Sequence, residues 1–406
     1  MALAVLTDLV SPIVTESAAP DRYHHEVLYM ISISTPSLIP VAHSLHTSNA
    51  DADTLLLQGR RSVLRAASLA GLGLIVPSAF AASATGVLPV RQTLLQIEGE
   101  SFRVIEQGAG PAVLFCHGFP DTADTWRSQM RAVAAAGYRA VAIDMRGFGQ
   151  SFAPRDPTLY TSVYTVGDLV GVLDTLKIDT AVVVGHDWGA DHAQRAALMR
   201  PDRFRALVSV SIPFAPRGEA SLYQDLRKRG LGERYYALDW IKPGAEALFA
   251  PAAQSIPSIL YWPSASPPAD QRWDPINPSR SLLRPAPAAL PAWADPTYVQ
   301  STIAAFEKTG FRGGLNHYRA TQGSFDLLYA FKGAVIRQPS LYIWGAADGL
   351  CQFFHKTPPT LAELRRGLPG LVGQVRLEGV GHWVQHEAAD RLNAELLKFL
   401  GALGAP

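Results

Sequence analysis

Asp187 has the local sequence that most clearly predicts covalent chemistry. It lies at the centre of Gly185-His186-Asp187-Trp188-Gly189, directly after the apolar run Val182-Val183-Val184. Glycines on both sides of a strand-to-helix turn let the chain bend sharply and expose the central side chain, as in the G-x-S-x-G elbow. A carboxylate at that position can attack an sp³ carbon that carries a leaving group, and this attack forms an alkyl ester. An aspartate that only caps a helix is the alternative, but a cap does not require two flanking glycines.

A second acid and a histidine follow later in the chain, each after an apolar run. Asp348 ends Ile343-Trp344-Gly345-Ala346-Ala347-Asp348, and His382 ends Glu378-Gly379-Val380-Gly381-His382. The order nucleophile, acid, base is that of a hydrolytic triad with aspartate in place of serine. We therefore expect His382, oriented by Asp348, to act as the base. His386 is the competing histidine, and its position at a helix start predicts a side chain that faces solvent.

The loop His117-Gly118-Phe119-Pro120 also follows an apolar run, Ala112–Cys116. Backbone N–H groups in such a place can bind the oxyanion that develops when an ester is hydrolysed, and the amides of Phe119 and Trp188 are the candidates. His117 is expected to bond the loop instead of taking part in the chemistry. A cis peptide bond before Pro120 is compatible with the sequence.

Alternating apolar runs and amphipathic stretches must position these residues. The predicted strands cover residues 93–98, 102–106, 112–116, 139–144, 181–185, 340–344 and 373–378, and the predicted helices cover 125–136, 165–176 and 388–400. Buried strands that alternate with helices require a mostly parallel, twisted sheet with helices on both faces. The predicted fold class is therefore α/β, with core segments at 91–214 and 337–406.

The alternation stops between residues 215 and 336, where helical patterns surround a Pro/Ala-rich stretch that contains Trp262, Trp273 and Trp293. A structureless loop of that length is rare inside a compact domain. We therefore predict that this segment is an inserted, mainly helical cap, or lid, domain. Two peptides in it contain tyrosines: Glu233-Arg234-Tyr235-Tyr236-Ala237-Leu238-Asp239-Trp240 and Gly313-Gly314-Leu315-Asn316-His317-Tyr318-Arg319.

The first 90 residues have no clear apolar period and are predicted to be a leader. Arg60-Arg61 precedes an apolar stretch at residues 66–81 that ends in Ala79-Phe80-Ala81, which is the order of a bacterial twin-arginine signal peptide over about residues 59–84. The stretch is short and contains Pro77, so a stable membrane anchor is not expected. Export to the periplasm or the cell exterior is the prediction, and a cytoplasmic protein with an ordinary extension is the alternative.

The composition limits the partners. The 406 residues are 48% hydrophobic and 17% charged with a formal net charge of +1, which fits a folded protein and gives no electrostatic footprint for nucleic acid. Cys116 and Cys351 cannot form a disulfide framework, and the apolar setting of Cys116 predicts a buried free thiol. The sequence has no Cys/His spacing typical of metal ligands, so neither a metal nor an organic cofactor is expected.

Taken together, these motifs resemble the α/β-hydrolase family, and within it the epoxide hydrolases of the soluble mammalian and plant type. The similarity covers residues 94–400 and includes the loops of His117, Asp348 and His382, the Asp187 peptide and Asp144-Met145-Arg146-Gly147-Phe148-Gly149. The resemblance implies an α/β-hydrolase fold with a cap domain. It also implies that an epoxide and water become a vicinal diol through an ester on Asp187.

The same resemblance assigns roles to the cap tyrosines. In this family two of them donate hydrogen bonds to the epoxide oxygen, which leaves carbon as an alkoxide, and the matching positions are Tyr236 and Tyr318. The implied substrate pocket includes the following residues: His117, Gly118, Pro120, Trp188 and Tyr235. The aromatic residues favour a small lipophilic or aryl epoxide.

Two alternatives remain open at this point. Haloalkane and haloacid dehalogenases also use an aspartate nucleophile, but haloalkane dehalogenases commonly have Asn where this chain has Phe119. Fluoroacetate dehalogenases typically have Arg where this chain has Trp188. A non-catalytic binding protein on the same fold is the second alternative, and it would not need a nucleophile, an acid, a base and two tyrosines together.

Overall fold

A single mixed sheet forms the centre of the fold. The computed structural model describes residues 88–354 and 359–404, and within them eight strands pair in the order β1-β2-β4-β3-β5-β6-β7-β8. The strands are β1 Arg91–Ile97, β2 Glu100–Gln107, β3 Ala112–Cys116, β4 Arg139–Ile143, β5 Ala181–His186, β6 Phe204–Val210, β7 Ser340–Gly345 and β8 Leu371–Leu377. Strand β2 pairs antiparallel with β1 and β4, and all other neighbours pair in parallel. The predicted mostly parallel sheet is confirmed.

Helices connect the strands and fill the long insertion. They are α1 Arg127–Ala135, α2 Ser162–Thr175, α3 Trp188–Met199, α4 Leu222–Lys228, α5 Ala237–Trp240, α6 Ala252–Tyr261, α7 Pro296–Thr309, α8 Arg312–Arg319, α9 Thr321–Leu327, α10 Gly349–Phe354, α11 Leu361–Arg365, α12 Val384–Glu387 and α13 Ala389–Ala402. Among the described residues, no helix is both long and apolar enough to cross a membrane.

Both faces of the sheet are covered by helices, as strand β5 shows. Val182 and Val184 pack in one apolar cluster with side chains of α1 and α13, whereas Ala181 and Val183 pack in the other with side chains of α2 and α3. Every residue of β5 is buried. A central parallel strand of this kind is a rigid support, so the residue that follows it is held in a fixed position.

Strand β6 has no counterpart among the strands predicted from the sequence. It is buried along most of its length and pairs in parallel with β5 on one side and β7 on the other. Because of this pairing, the end of β6 lies between the turn that follows β5 and the loop that follows β7. Both of those segments carry candidate catalytic residues.

The segment between β6 and β7 contains helices α4 to α9, and none of its residues, all of which the structure describes, is in a strand. Its Pro/Ala-rich part is held by aromatic side chains. The Trp262 indole N–H donates to the carbonyl of Arg284 at 2.8 Å, and the Arg284 guanidinium lies 3.7 Å from the centre of the same ring. Trp293 donates to the hydroxyl of Ser266 at 3.1 Å.

Two sequence predictions about the rest of the chain have different outcomes. Cys116 is free and fully buried, as predicted. The predicted leader and export signal lie outside the described residues, apart from residues 88–90.

Candidate active site

Asp187 occupies the sharp turn between β5 and α3. Its backbone has φ 55° and ψ −124°, a region that residues with side chains rarely adopt. The flanking glycines are needed because the chain is tightly packed there. A Cβ on Gly185 would lie 2.0 Å from the carbonyl oxygen of Gly189, and a Cβ on Gly189 would lie 2.1 Å from that of Cys116. The strand–turn–helix predicted for this peptide is present.

Two backbone amides hold the Asp187 carboxylate. The N–H of Phe119 donates to Oδ1 at 2.9 Å, and the N–H of Trp188 also bonds to the carboxylate. Gly118 lies directly beneath, since a Cβ there would lie 2.4 Å from Oδ1. The peptide bond between Phe119 and Pro120 is cis. Both amides predicted as oxyanion donors therefore bond to the Asp187 carboxylate.

His117, Gly118 and Pro120 were predicted to form part of the substrate pocket; other residues line the two cavities at Asp187, and the role of these three stays a prediction. They lie in the loop that follows β3. His117 is fully buried: its Nδ1 bonds to the carbonyl of Gly118 at 2.8 Å, and its Nε2 accepts from the N–H of Met145 at 3.0 Å. Burial lowers the pKa of His117 to about 3, so the ring is neutral and bonds the loop.

His382 lies between the two carboxylates. Its Nε2 is 3.7 Å from Oδ2 of Asp187, and its Nδ1 is 3.0 Å from Oδ2 of Asp348. The second oxygen of Asp348 accepts from the N–H of Leu350 at 2.9 Å. The Nδ1 bond to Asp348 leaves Nε2 directed at Asp187. The three residues that the sequence placed in the order nucleophile, acid, base are therefore adjacent in space.

Burial and charge act against each other at these groups. Burial raises the pKa of Asp187. The charge of His382 and the hydrogen bonds from the N–H groups of Phe119 and Trp188 offset only part of this rise. Burial lowers the pKa of His382, but the charge and hydrogen bond of Asp348 and the charge of Asp187 exceed that effect, so the net shift is upward. Burial raises the pKa of Asp348, but the charge and hydrogen bond of His382 and the hydroxyl of Ser211 outweigh it, so the net shift is downward. These shifts favour an ionised Asp348 carboxylate and make the His382 imidazole a stronger base.

The loop that carries His382 is held by Glu387, which the sequence analysis did not identify. One oxygen of Glu387 accepts from the N–H of Gly381 at 2.9 Å and from that of Ala265 at 2.8 Å, and the other accepts from the N–H of Trp383 at 2.9 Å. His382 itself donates its N–H to the carbonyl of Pro263. The loop of the base is thus fixed both to the helix that follows it, α12, and to the inserted segment. No short motif identifies such a residue in the sequence.

His386 does not face solvent, contrary to the sequence prediction. It lies in α12, where its Nε2 bonds to the hydroxyl of Thr125 at 2.8 Å and its ring lies 4.3 Å from that of Tyr298. Burial lowers its pKa to about 4. The helix start is covered by the inserted segment, which a local pattern cannot show. His386 does not line the cavities at Asp187.

Tyr236 and Tyr318 both line the two cavities at Asp187. Their rings meet edge to face with centroids 6.2 Å apart. Burial raises the pKa of each phenol well above its ordinary value, and the Asp187 charge adds to the shift. Both phenols therefore keep their protons. Tyr235 lines the larger cavity and packs on Tyr236 with ring centroids 4.8 Å apart.

Glycine contacts explain how Tyr318 reaches the carboxylate. A Cβ on Gly313 would lie 2.0 Å from the carbonyl oxygen of Gly147, and a Cβ on Gly314 would lie 2.2 Å from the ring of Phe119. Helix α8 therefore rests directly on the loops that follow β3 and β4. This close approach places Tyr318, at the end of the same helix, with its ring centroid 5.8 Å from that of Phe119.

The two cavities that meet at Asp187 differ greatly in size. The larger has a volume of about 540 Å³ and extends along Trp188, Phe214 and Leu328. The smaller has a volume of about 20 Å³ and is enclosed by Ile259 and other apolar side chains. Among the described residues, no group of three or more His, Cys, Asp or Glu side chains is arranged to hold a metal ion.

This combination of fold and site defines a class, an α/β-hydrolase with a carboxylate at the nucleophile position. The sequence profile of the alpha/beta hydrolase fold family matches residues 111–389, which is more than half of the chain.

Comparison with individual proteins narrows the class. The chain is 53% identical over 316 residues to an epoxide hydrolase of Caballeronia sordidicola, a match that covers 78% of this chain and 95% of that protein. It is 36% identical to epoxide hydrolase A of Mycobacterium tuberculosis, over 77% of this chain and 98% of that protein. A solved epoxide hydrolase from an endophytic Streptomyces superposes with a TM-score of 0.71 at 35% identity, over 77% of this chain and 96% of that one. The chain belongs to the epoxide hydrolases of the α/β-hydrolase family.

Proposed function

We propose that Asp187 opens the epoxide ring by direct attack and becomes an alkyl ester. The N–H of Phe119 binds Oδ1, and Oδ2, which lies on the side of His382, is the oxygen that attacks carbon. The ring C–O bond breaks as the new C–O bond forms, and the ring oxygen becomes an alkoxide. The observation that carries this proposal is that two protonated phenols, of Tyr236 and Tyr318, line the same cavities as the carboxylate. Such donors stabilise the alkoxide and supply its proton.

In the second half of the reaction, His382 removes a proton from water, which attacks the ester carbonyl carbon of Asp187. The gap of 3.7 Å between Nε2 of His382 and Oδ2 of Asp187 is compatible with a base that acts on a water beside the ester. The negative charge that develops on Oδ1 is stabilised by the N–H of Phe119, which already binds this oxygen, and by the N–H of Trp188, which bonds to the same carboxylate. Asp348 holds the imidazole and stabilises its protonated form. The bond between the carbonyl carbon and the ester oxygen then breaks, and the departing oxygen takes the proton from the His382 imidazolium as the diol leaves. The proton of the new Asp187 carboxylic acid returns to the phenolate, which restores both the carboxylate and the phenol.

The sizes of the two cavities support a substrate class. A space of about 20 Å³ holds little more than one water-sized group, whereas about 540 Å³ is within the range of pockets for drug-sized ligands. We propose that the substrate is a lipophilic or aryl epoxide with one bulky substituent, directed toward Phe214 and Leu328, and a small or unsubstituted second carbon.

Isotope labelling tests the covalent step. In a single turnover of styrene oxide in H₂¹⁸O with enzyme in excess, we expect label in the Asp187 carboxylate, because water attacks the ester carbonyl and not the substrate carbon. Mass spectrometry of the peptide that contains Asp187 reads the label. Label found only in the diol would mean that water attacks the epoxide directly. The Asp187→Ala variant, which should form no diol, is the control.

A pair of matched variants tests the substrate class. Leu282→Ala enlarges the small cavity and Leu328→Ala enlarges the large one. With the native enzyme, kcat/KM should be higher for styrene oxide than for trans-stilbene oxide. Leu282→Ala should narrow that difference and Leu328→Ala should not. Equal kcat/KM values for both epoxides in the native enzyme would contradict the proposed orientation.

We also propose that the protein is exported through the signal predicted at residues 59–84. The support is the order of the Arg60-Arg61 pair, the apolar stretch and the Ala79-Phe80-Ala81 site in the sequence. Replacement of both arginines by lysine should retain the enzyme in the cytoplasm of a bacterial host, as measured by cell fractionation. Unchanged location of the lysine variant would favour the cytoplasmic alternative.

A further inference from the structure

Ser211 follows β6 directly and is fully buried. Its φ of 71° is unusual for a residue with a side chain. Three contacts hold its backbone in that conformation. Its N–H donates to the carbonyl of Ile343 at 2.8 Å, and its own carbonyl accepts from the hydroxyl of Tyr342 at 3.0 Å and from Sγ of Cys351 at 2.9 Å. The direction of the Ser211 side chain is therefore fixed by the surrounding structure.

The hydroxyl of Ser211 points into the acid–base pair. Oγ donates to Oδ2 of Asp348 at 2.5 Å and lies 3.2 Å from Nδ1 of His382. The same Oδ2 accepts from that Nδ1 at 3.0 Å. A carboxylate oxygen can only accept hydrogen bonds, so the serine proton and the imidazole proton share one oxygen of Asp348.

We propose that Ser211 is a positioning residue for ester hydrolysis, which shares the Asp348 carboxylate with His382 and limits how strongly this carboxylate stabilises the imidazolium. The inference rests on the proposed role of His382 as the base. A base must be neutral to accept a proton from water. A second donor on Oδ2 disperses part of the negative charge of this oxygen. The Asp348 carboxylate therefore stabilises the His382 imidazolium less than it would without the serine. The serine thereby keeps more of His382 neutral near neutral pH.

Other ionisable groups face this pair and have to be considered. Asp187 and Glu387 are the remaining carboxyl groups whose charges act on His382. Burial lowers the pKa of His186 well below its ordinary range, and burial raises that of Cys351 and Tyr342, so these three groups stay neutral around pH 7. Of the five, Cys351 has the Ser211 side chain among the groups that act on it, but burial dominates the upward shift of its pKa, so its thiol stays protonated when the hydroxyl is removed. A change in the titration of His382 would therefore come from the lost hydroxyl.

Two variants remove the hydroxyl in different ways. Ser211→Ala keeps the Cβ atom, and Ser211→Gly also relieves the positive φ and so protects folding. In both, the acidic limb of the rate of ester hydrolysis should move to higher pH by about one unit, the size expected for one hydrogen bond to a charged group. Below that limb the alkyl-enzyme should decay about 10-fold more slowly. The rate of alkyl-enzyme formation should not change, because Ser211 does not touch the attacking carboxylate.

The measurement is single-turnover quench with intact-mass detection of the alkyl-enzyme between pH 5 and 9. Ser340→Ala is the matched control, since Ser340 is a buried serine in the neighbouring strand β7 whose hydroxyl donates to the carbonyl of Gln338. The inference would be overturned if the acidic limb of the rate of ester hydrolysis stayed in place or moved to lower pH in either folded variant. Loss of folding in both variants would also overturn it. If the native enzyme forms no alkyl-enzyme at all, the proposed function fails instead, so the two failures are distinguishable.

Discussion

Replacement of Asp121 by asparagine should make the protein more stable at neutral pH but not in acid. Asp121 follows the loop of the Phe119 amide and is fully buried. Its Oδ1 accepts from the hydroxyl of Tyr298, in helix α7, at 2.8 Å and from the N–H of Thr122 at 2.7 Å, whereas its buried Oδ2 has no hydrogen-bond partner among the described residues. Burial raises the pKa of Asp121 from the ordinary 3.8 to about 7, because these hydrogen bonds offset only part of the lost hydration.

The sign follows from proton linkage. Below pH 3.8 the carboxyl is protonated in both the folded and the unfolded chain. Between pH 3.8 and about 7 the unfolded chain ionises while the folded protein keeps its proton, so the native protein loses stability as pH rises. Asparagine at position 121 cannot ionise and can accept the same two hydrogen bonds. The shift of about three units corresponds to at most about 4 kcal/mol at 1.36 kcal/mol per unit, and after relaxation of the site we expect about 2 kcal/mol or more.

Urea unfolding at pH 4, 5, 6, 7 and 8 measures the effect. The free energy of unfolding of Asp121→Asn minus that of the native protein should rise between pH 4 and 7 and then level off. Asp390→Asn, at an exposed position in α13, is the control and should show no comparable rise. A difference that is independent of pH, or that falls as pH rises, would refute the argument that a buried, poorly solvated carboxyl joins this loop to α7.

Three further predictions concern the reaction itself. His382→Gln should accumulate alkyl-enzyme and then stop, because ring opening does not need the base. Rapid-quench mass spectrometry would detect the ester. Steady turnover at the native rate would exclude His382 as the base. Tyr318→Phe should lower the rate of ring opening by about 10- to 100-fold, the value of one hydrogen bond to a developing charge. Tyr235→Phe is the control and should retain most activity. Equal losses of the ring-opening rate in the two variants, measured by stopped flow, would count against the assignment. Gly118→Ala should abolish ester formation, because its Cβ would lie 2.4 Å from Oδ1 of Asp187, and an active, correctly folded Ala variant would show that the loop can move away.

Local sequence signals predicted the main elements of the core and the candidate nucleophile. The glycines that flank Asp187 indicate a turn in which the backbone is closely packed. This signal lies in consecutive residues, so the sequence alone shows it. The buried strands are short apolar runs, and β3 has the predicted limits, Ala112–Cys116. Strand β6 was missed although its residues form an apolar run of the same type. The apolar run of β6 was therefore sufficient, in principle, to predict this strand from the sequence.

The contacts around the site were decided by tertiary structure alone. Ser211 and Asp348 are 137 residues apart in the chain, and Asp121 and Tyr298 are 177 apart. Hydrogen bonds of this kind depend on how the strands are ordered and on how the insertion covers the sheet, and a single sequence carries no periodicity that reports them. The wrong prediction for His386 has the same cause, because the partner that buries its ring comes from a distant helix. The sequence thus determined which groups can react, whereas the order of strands and the packing of the inserted helices determined their surroundings and the unequal cavities on the two sides of Asp187.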